Sequence, residues 1–253
     1  MKRNLYYKGM YQRKNVIKDA LMSLGAWTLS WPRLLLEVFI RKNFGERYFS
    51  LFTAISLTCV LFWLPIGIDR ARLPFGGGSV TSVIGHNATW YVYLAAFVYF
   101  AFKRQKEIKR ERSWFEKKFS LYNGDINPRF HNLKIGNWVI DRRTISTTYE
   151  PLFCFIVGLV LTACLQKIGV LIIYSSICYG VSYYGEYLSG DHFVMDMMDE
   201  MIANENLVKS FVNQAPPEKT NGFEVKGTPP NNPDFRRKVA DNMLADDEPV
   251  EVY

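Results

Sequence analysis

The chain has 253 residues, 49% of them hydrophobic, with a formal net charge of +7 and four cysteines. Its apolar residues gather in four blocks, so little is left for a second core and any soluble part is small. Cys59, Cys154, Cys164 and Cys178 all sit in apolar runs without CxxC spacing or neighbouring histidines, which sets aside a disulfide framework and a zinc site.

The first ten residues, MKRNLYYKGM, carry charge but no apolar core with a cleavage site. No cleavable signal is expected, and the first span is read as an uncleaved anchor. Residues 1–47 are read as cytoplasmic amphipathic or interfacial helices. Val16, Ile17, Ala20, Leu21 and Leu24 recur at helical spacing up to Gly25, and Ser30 with Pro32 opens a second helix through Asn43. That second helix mixes Leu34, Leu35, Leu36, Val38, Phe39 and Ile40 with Arg33, Glu37, Arg41 and Lys42, and follows Trp27 and Trp31, a mixture suited to a helix lying on a membrane.

Residues 48–102 read as a first transmembrane pair. Tyr48 to Ile68 contains twenty-one residues without a charge, enough to cross a bilayer as a helix. The breaker-rich segment 69–86 reads as a loop, and its triple glycine, Gly76 to Gly78, lacks the following Lys-Ser/Thr of a phosphate-binding loop. A second span, 87–102, is short and aromatic, with Trp90, Tyr91, Tyr93, Phe97, Tyr99, Phe100 and Phe102.

Residues 103–150 form a basic connection. Lys103, Arg104, Lys106, Lys109, Arg110 and Arg112 are expected to face anionic lipid headgroups. Trp114 and Phe115 would suit stacking on bases, but the position directly after a span favours lipid over nucleic acid. Leu133 to Ile140, LKI-GN-WVI, predicts a small β-hairpin. Residues 151–184 hold one charge, Lys167, and are too long for a single crossing, so a transmembrane helical hairpin turning at 166–169 is predicted. After 184 the chain leaves the membrane, and 185–212 carries a cytoplasmic amphipathic helix starting near Asp191. Residues 213–253, rich in Pro, Asn and acid, read as a disordered tail ending in a short docking helix.

Residues 1–47 carry ten basic side chains and 103–150 twelve, whereas the two outer connections hold only Arg70, Arg72 and Lys167. Lys and Arg collect on the cytoplasmic side, so both termini are expected there. The fold class is therefore an all-α polytopic membrane protein of about four spans.

Candidate chemistry is sparse. His192, Asp196 and Asp199 share a helical face and could meet at a metal, with Glu200 beside them, but an acidic solvated face opposite a Met-rich stripe accounts for them without metal or cofactor. The partner-binding residues are read as Met197, Met198, Met201 and Phe211 on that stripe, which also includes Val194 and Val208, and Phe235, Val239 and Met243 in the tail. Catalytic motifs are missing and interaction surfaces plentiful. The leading expectation is an adaptor or assembly subunit of a multiprotein machine in a bacterial inner membrane, such as a secretion or transfer apparatus, contacting other proteins, anionic lipid, and in one version further copies of itself. The alternatives are a membrane enzyme built on His192, Asp196 and Asp199, or a self-assembling pore or membrane-perturbing effector.

Overall fold

The structure is a computed structural model that describes residues 3–11, 16–72, 80–108, 119–131, 134–135 and 138–245. In chain order the elements are β1 (Arg3–Asn4), α1 (Leu5–Met10), α2 (Val16–Ile40), α3 (Leu51–Arg72), α4 (Val80–His86), α5 (Ala88–Ile108), α6 (Pro128–His131), β2 (Lys134–Ile135), β3 (Trp138–Val139) and α7 (Arg142–Thr144). A π-helical turn over Ile145–Tyr149 leads into α8 (Glu150–Ala163), followed by α9 (Lys167–Phe211), a 3-10 turn at Pro217–Lys219, α10 (Pro233–Met243) and β4 (Leu244–Ala245). The chain is all-helical apart from these two-residue ladders. Among the described residues, three helical stretches are long and apolar enough to cross a membrane: Leu51–Ile68, with mean hydropathy 2.1, Arg142–Ala163, and α9.

Two compact units emerge, one of residues 22–186 and one of residues 1–21 with 187–253. In the larger unit the second half of α2 is buried continuously from Pro32 to Val38, so it is a core helix and not one lying on a surface. Gly25 and Pro32 both sit inside α2, which is one helix where the breakers predicted two. Ser30 does not cap a new helix; its Oγ donates back to the Trp27 carbonyl at 2.9 Å. An interior proline costs about 3 kcal/mol. Burial of the residues just after it offsets that cost.

Partners around α2 satisfy its last carbonyls. Tyr93 Oη donates to Leu35 O at 2.9 Å, and Arg104 Nε donates to Val38 O at 3.1 Å. Phe39 packs its ring on Tyr93, Phe97 and Phe100 of α5. The connection after α2 pairs with residues 119–125 through Gly45 N–H to Tyr122 O, Arg47 N–H to Ser120 O and Asp125 N–H to Lys42 O. A Cβ on Gly45 would lie 2.6 Å from Tyr122 N, so only glycine fits.

The segment read as a loop over 69–86 is helical at both ends, α3 running to Arg72 and α4 occupying Val80–His86; Gly76 to Gly78 lie outside the described residues. The second aromatic helix extends past Phe102 to Ile108. The hairpin at 133–140 is present, with Lys134 opposite Val139 and Ile135 opposite Trp138.

α8 and α9 form a tight helical hairpin. Its turn falls at Cys164–Gln166, with Leu165 at φ 58°, slightly earlier than the predicted 166–169. Close approach explains two glycines: a Cβ on Gly158 would meet Ile173 Cγ1 at 2.8 Å, and one on Gly169 would meet Thr162 N at 2.6 Å. The break expected at 185–190 does not exist, because α9 continues unbroken through Gly185 and Gly190 to Phe211. Each glycine costs about 0.5–1 kcal/mol relative to alanine, too little to end a helix of this length.

In the smaller unit, residues 213–245 are folded, contrary to the disordered tail predicted. Thr220 is buried and its Oγ1 bridges the carbonyls of Pro217 and Phe223 at 3.3 and 2.6 Å, while Gln214, Asn221 and Gly222 supply left-handed turns. Val225 N–H donates to Ser210 Oγ, and Arg236 reaches Val212 O, Asn231 O and Pro230 O. β1 pairs antiparallel with β4, Arg3 opposite Ala245 and Asn4 opposite Leu244. Tyr6 Oη accepts from Lys226 N–H at 2.6 Å and Tyr11 Oη donates to Glu224 O at 3.0 Å. Backbone hydrogen bonds thus order a segment too poor in apolar residues for a core of its own.

Candidate functional site: a buried charge chain and its groove

Arg33, Glu37 and Arg41 recur every four residues on α2 and so share one face. All three are buried, at 5, 1 and 0% exposure. Across from them α9 presents Tyr179, Ser182, Tyr183 and Glu186, also at near-helical spacing. Tyr48 comes from the connection between α2 and α3. Ser146 and Glu150 come from the π turn and the first residue of α8.

These groups form one hydrogen-bonded chain. Arg33 donates to Glu186 Oε1 at 2.5 Å, Ser182 Oγ at 2.7 Å and Tyr48 Oη at 2.7 Å. Tyr48 Oη donates to the Glu37 carboxylate, within 2.8 Å, and Tyr183 Oη donates to Glu37 Oε1 at 2.6 Å. Arg41 donates to Tyr183 Oη at 2.5 Å, to Ser146 Oγ at 2.8 Å and to Glu150 Oε2 through Nη2 at 2.5 Å, an oxygen that also accepts from Tyr179 Oη at 2.6 Å. The Tyr183 ring lies between the two guanidinium groups, 4.6 Å from Arg33 and 4.5 Å from Arg41. Among the described residues, Glu150 Oε1 and Arg33 Nε have no hydrogen-bond partner, although Arg33 Nε stands 3.4 Å from Glu37 Oε1.

Burial works against the charge of Arg33 and Arg41, yet the neighbouring carboxylates and phenols outweigh it and raise both above the ordinary arginine value. Two arginines are balanced by Glu37 and Glu150, with Glu186 half exposed at the edge. Such a chain fixes the rotation of α2 against α8 and α9, because any other register leaves buried charges unpaired.

One flank of this chain is open. Arg33, Glu37 and Tyr48 line a groove of about 630 Å³ between α2 and α3, together with Trp27, Trp31, Leu34, Arg47, Ser50, Thr53, Leu57 and Val60. Its charged residues lie near the connection between the helices, and Trp27, Trp31, Leu57 and Val60 lie up to ten residues, about 15 Å, away along each helix, with Ser30 and Ser56 among them.

The residues expected from sequence fare differently. Met197, Met198 and Met201 are exposed, as are Val194 and the neighbouring Phe193 and Met195. Phe211 is 5% exposed and packs inside the smaller unit, so it is not a docking residue. In α10 Phe235 is exposed, Val239 and Met243 are half-buried, and Ala240 is fully covered. Lys103 and Lys106 are exposed, but Arg104 is buried, pairing with Glu107 at 2.8 Å as it holds Val38 O, and does not face lipid. Lys109, Arg110 and Arg112, with Trp114 and Phe115, lie outside the described residues. His192, Asp196 and Asp199 are exposed, and among the described residues no three metal-ligating side chains converge. Asp199, Asp196 and Glu200 are near Tyr7, whose phenol is pushed up to about 12 by burial and then by these carboxylates.

Sequence reasoning missed the charge chain. Its signal was the alternation Arg33, Glu37, Arg41 at intervals of four inside an otherwise apolar run, matched by Tyr179 and Tyr183 at the same interval. No protein-family model matches the chain, and neither a curated protein nor a solved structure matches it at a significant level.

Proposed function

We propose that the protein is an integral membrane adaptor, a subunit that is anchored by its helices and offers α9 beyond residue 192 to other components of a complex. The observation that carries this reading is the exposed run Phe193, Val194, Met195, Met197, Met198 and Met201, a concentration of large apolar side chains that a monomeric soluble surface rarely presents. Asp196, Asp199 and Glu200 interrupt the run, so the fitting partner is a helix with an apolar stripe flanked by Lys and Arg. Methionine suits such a role because its unbranched side chain adapts to the partner surface.

The topology proposed is four crossings with both termini cytoplasmic, in a bacterial inner membrane. Support comes from the β1–β4 pairing, since chain ends joined in one small sheet lie on the same side of a membrane, which needs an even number of crossings. The spans would be α3, α5, α8 and the first half of α9. Twenty-two basic residues in the amino-terminal and 103–150 segments, against three in the outer connections, set the orientation.

The test is photo-cross-linking in native membranes, with a photoreactive residue at Met198, Met201 or, as a control, Glu218. Discrete protein adducts at 198 and 201, absent at 218 and lost when Met197→Glu is added, are expected. Equal labelling at all three positions overturns the adaptor reading.

A further inference from the structure

We infer that the groove between α2 and α3 holds one anionic phospholipid, its phosphate at Arg47 and an acyl chain along Trp27, Trp31, Leu57 and Val60. The inference rests on the membrane reading and is independent of the adaptor role.

The groove has the two-ended chemistry of such a lipid. At its polar end the guanidinium of Arg47 is exposed and makes no hydrogen bond or ion pair among the described residues, its backbone N–H alone being used, to Ser120 O. Arg33 lines the same end at 5% exposure, with a buried Nε–H that has no acceptor. Glu37 is the one carboxylate among the lining residues and is already held by Tyr48 and Tyr183, and Arg33 is paired with Glu186, so the uncompensated charge at this end is that of Arg47. α3 begins at Leu51 with no acidic residue in its first turn, and the positive end of its dipole faces the same side as Arg47.

At the other end the wall is mainly aromatic and aliphatic, with Ser30 and Ser56 between the large side chains. Trp27 is 67% exposed and Val60 57%, values that leave large apolar surfaces uncovered on both helices. The volume of about 630 Å³ lies in the usual range for a bound small molecule. Surface lysines such as Lys103 and Lys106 offer charge alone and would attract lipid without retaining it.

The test uses the full chain purified in mild detergent, with retained lipid quantified by mass spectrometry after extraction and by native mass spectrometry after adding phosphatidylglycerol or phosphatidylcholine. One phosphatidylglycerol per chain is expected to survive washing. Arg47→Ala, at an exposed side chain, should lower retention by about tenfold or more while Arg47→Lys restores much of it. Val60→Trp should displace the acyl chain, and Lys103→Ala with Lys106→Ala should change nothing. Unfolding temperatures identify any variant that fails to fold, in which case the Arg47 pair decides. Unchanged retention in Arg47→Ala, equal retention of phosphatidylcholine, or competition by inorganic phosphate alone overturns the assignment.

Discussion

Arg41, fully buried, has hydrogen bonds to Glu150, Tyr183, Ser146 and the carbonyl of Asn123. Removing one member of a buried pair leaves the other charge uncompensated, which costs about 3–5 kcal/mol. Arg41→Ala should therefore lower the unfolding temperature in detergent sharply, whereas Arg41→Met combined with Glu150→Leu should recover a large part of the loss. Melting of Arg41→Ala indistinguishable from the wild type would show that the chain contributes little. Tyr7 makes a second prediction. Its phenol is held near 12 against an ordinary value of 10.0, so its contribution is fully present below pH 10 and is lost as pH rises towards 12. Thermal stability of the wild type should fall more steeply over that window than that of Tyr7→Phe. At this scale the sequence showed which residues were charged and how they were spaced. It could not show that Glu150, far along the chain, would meet Arg41, and so a row that reads as part of a helix lying on a membrane is in fact the centre of the unit.

Among the elements, α3 and α5 are joined by a repair. Pro65 lacks the N–H that would hold the Leu61 carbonyl, and Trp90 Nε1 donates to that carbonyl at 2.9 Å instead. Losing such a bond costs about 1 kcal/mol or somewhat more when the acceptor stays buried. Trp90→Phe should destabilise the wild type by about this amount, beyond the packing change, and less when Pro65→Ala already supplies the missing N–H. A double-mutant cycle of unfolding free energies checks this, and strict additivity would exclude the repair. The long apolar run of α3 and the tight α8–α9 turn were legible because length and charge-free composition signal them directly. Helix ends were not. Gly25 read as a stop, Pro32 as the start of a second helix and 185–190 as an exit from the membrane, yet each glycine or proline there is a local cost of up to a few kcal/mol that burial or helix length overrides. The tail failed for the opposite reason: its order comes from backbone partners such as Ser210 and Tyr6, which leave no periodicity to read.

For the whole molecule, the joined chain ends make topology testable. Reporter fusions after Gly78 and after Tyr253 should lie on opposite sides of the membrane; the same side for both would remove α5 or one arm of the α8–α9 hairpin from the crossings. The clustering of Lys and Arg is the sequence signal behind the proposed orientation, while the pairing of residues 3–4 with 244–245 was invisible, since two-residue ladders have no signature of their own. That closure also fixes the order of events during synthesis. Residues 3 and 4 find their partners only when residues 244 and 245 have left the ribosome, after every apolar helix has been made and handed to the membrane. The entropy of closing so long a loop grows only slowly with its length, so the delay is one of sequence and not of cost. A chain stopped short of Leu244 inserts its helices and still exposes Asn4 to Tyr11 without the strand that covers them. An amino-terminal segment left open in this way is an accessible site for proteolysis, and its closure marks a chain in which Leu244 and Ala245 have been made.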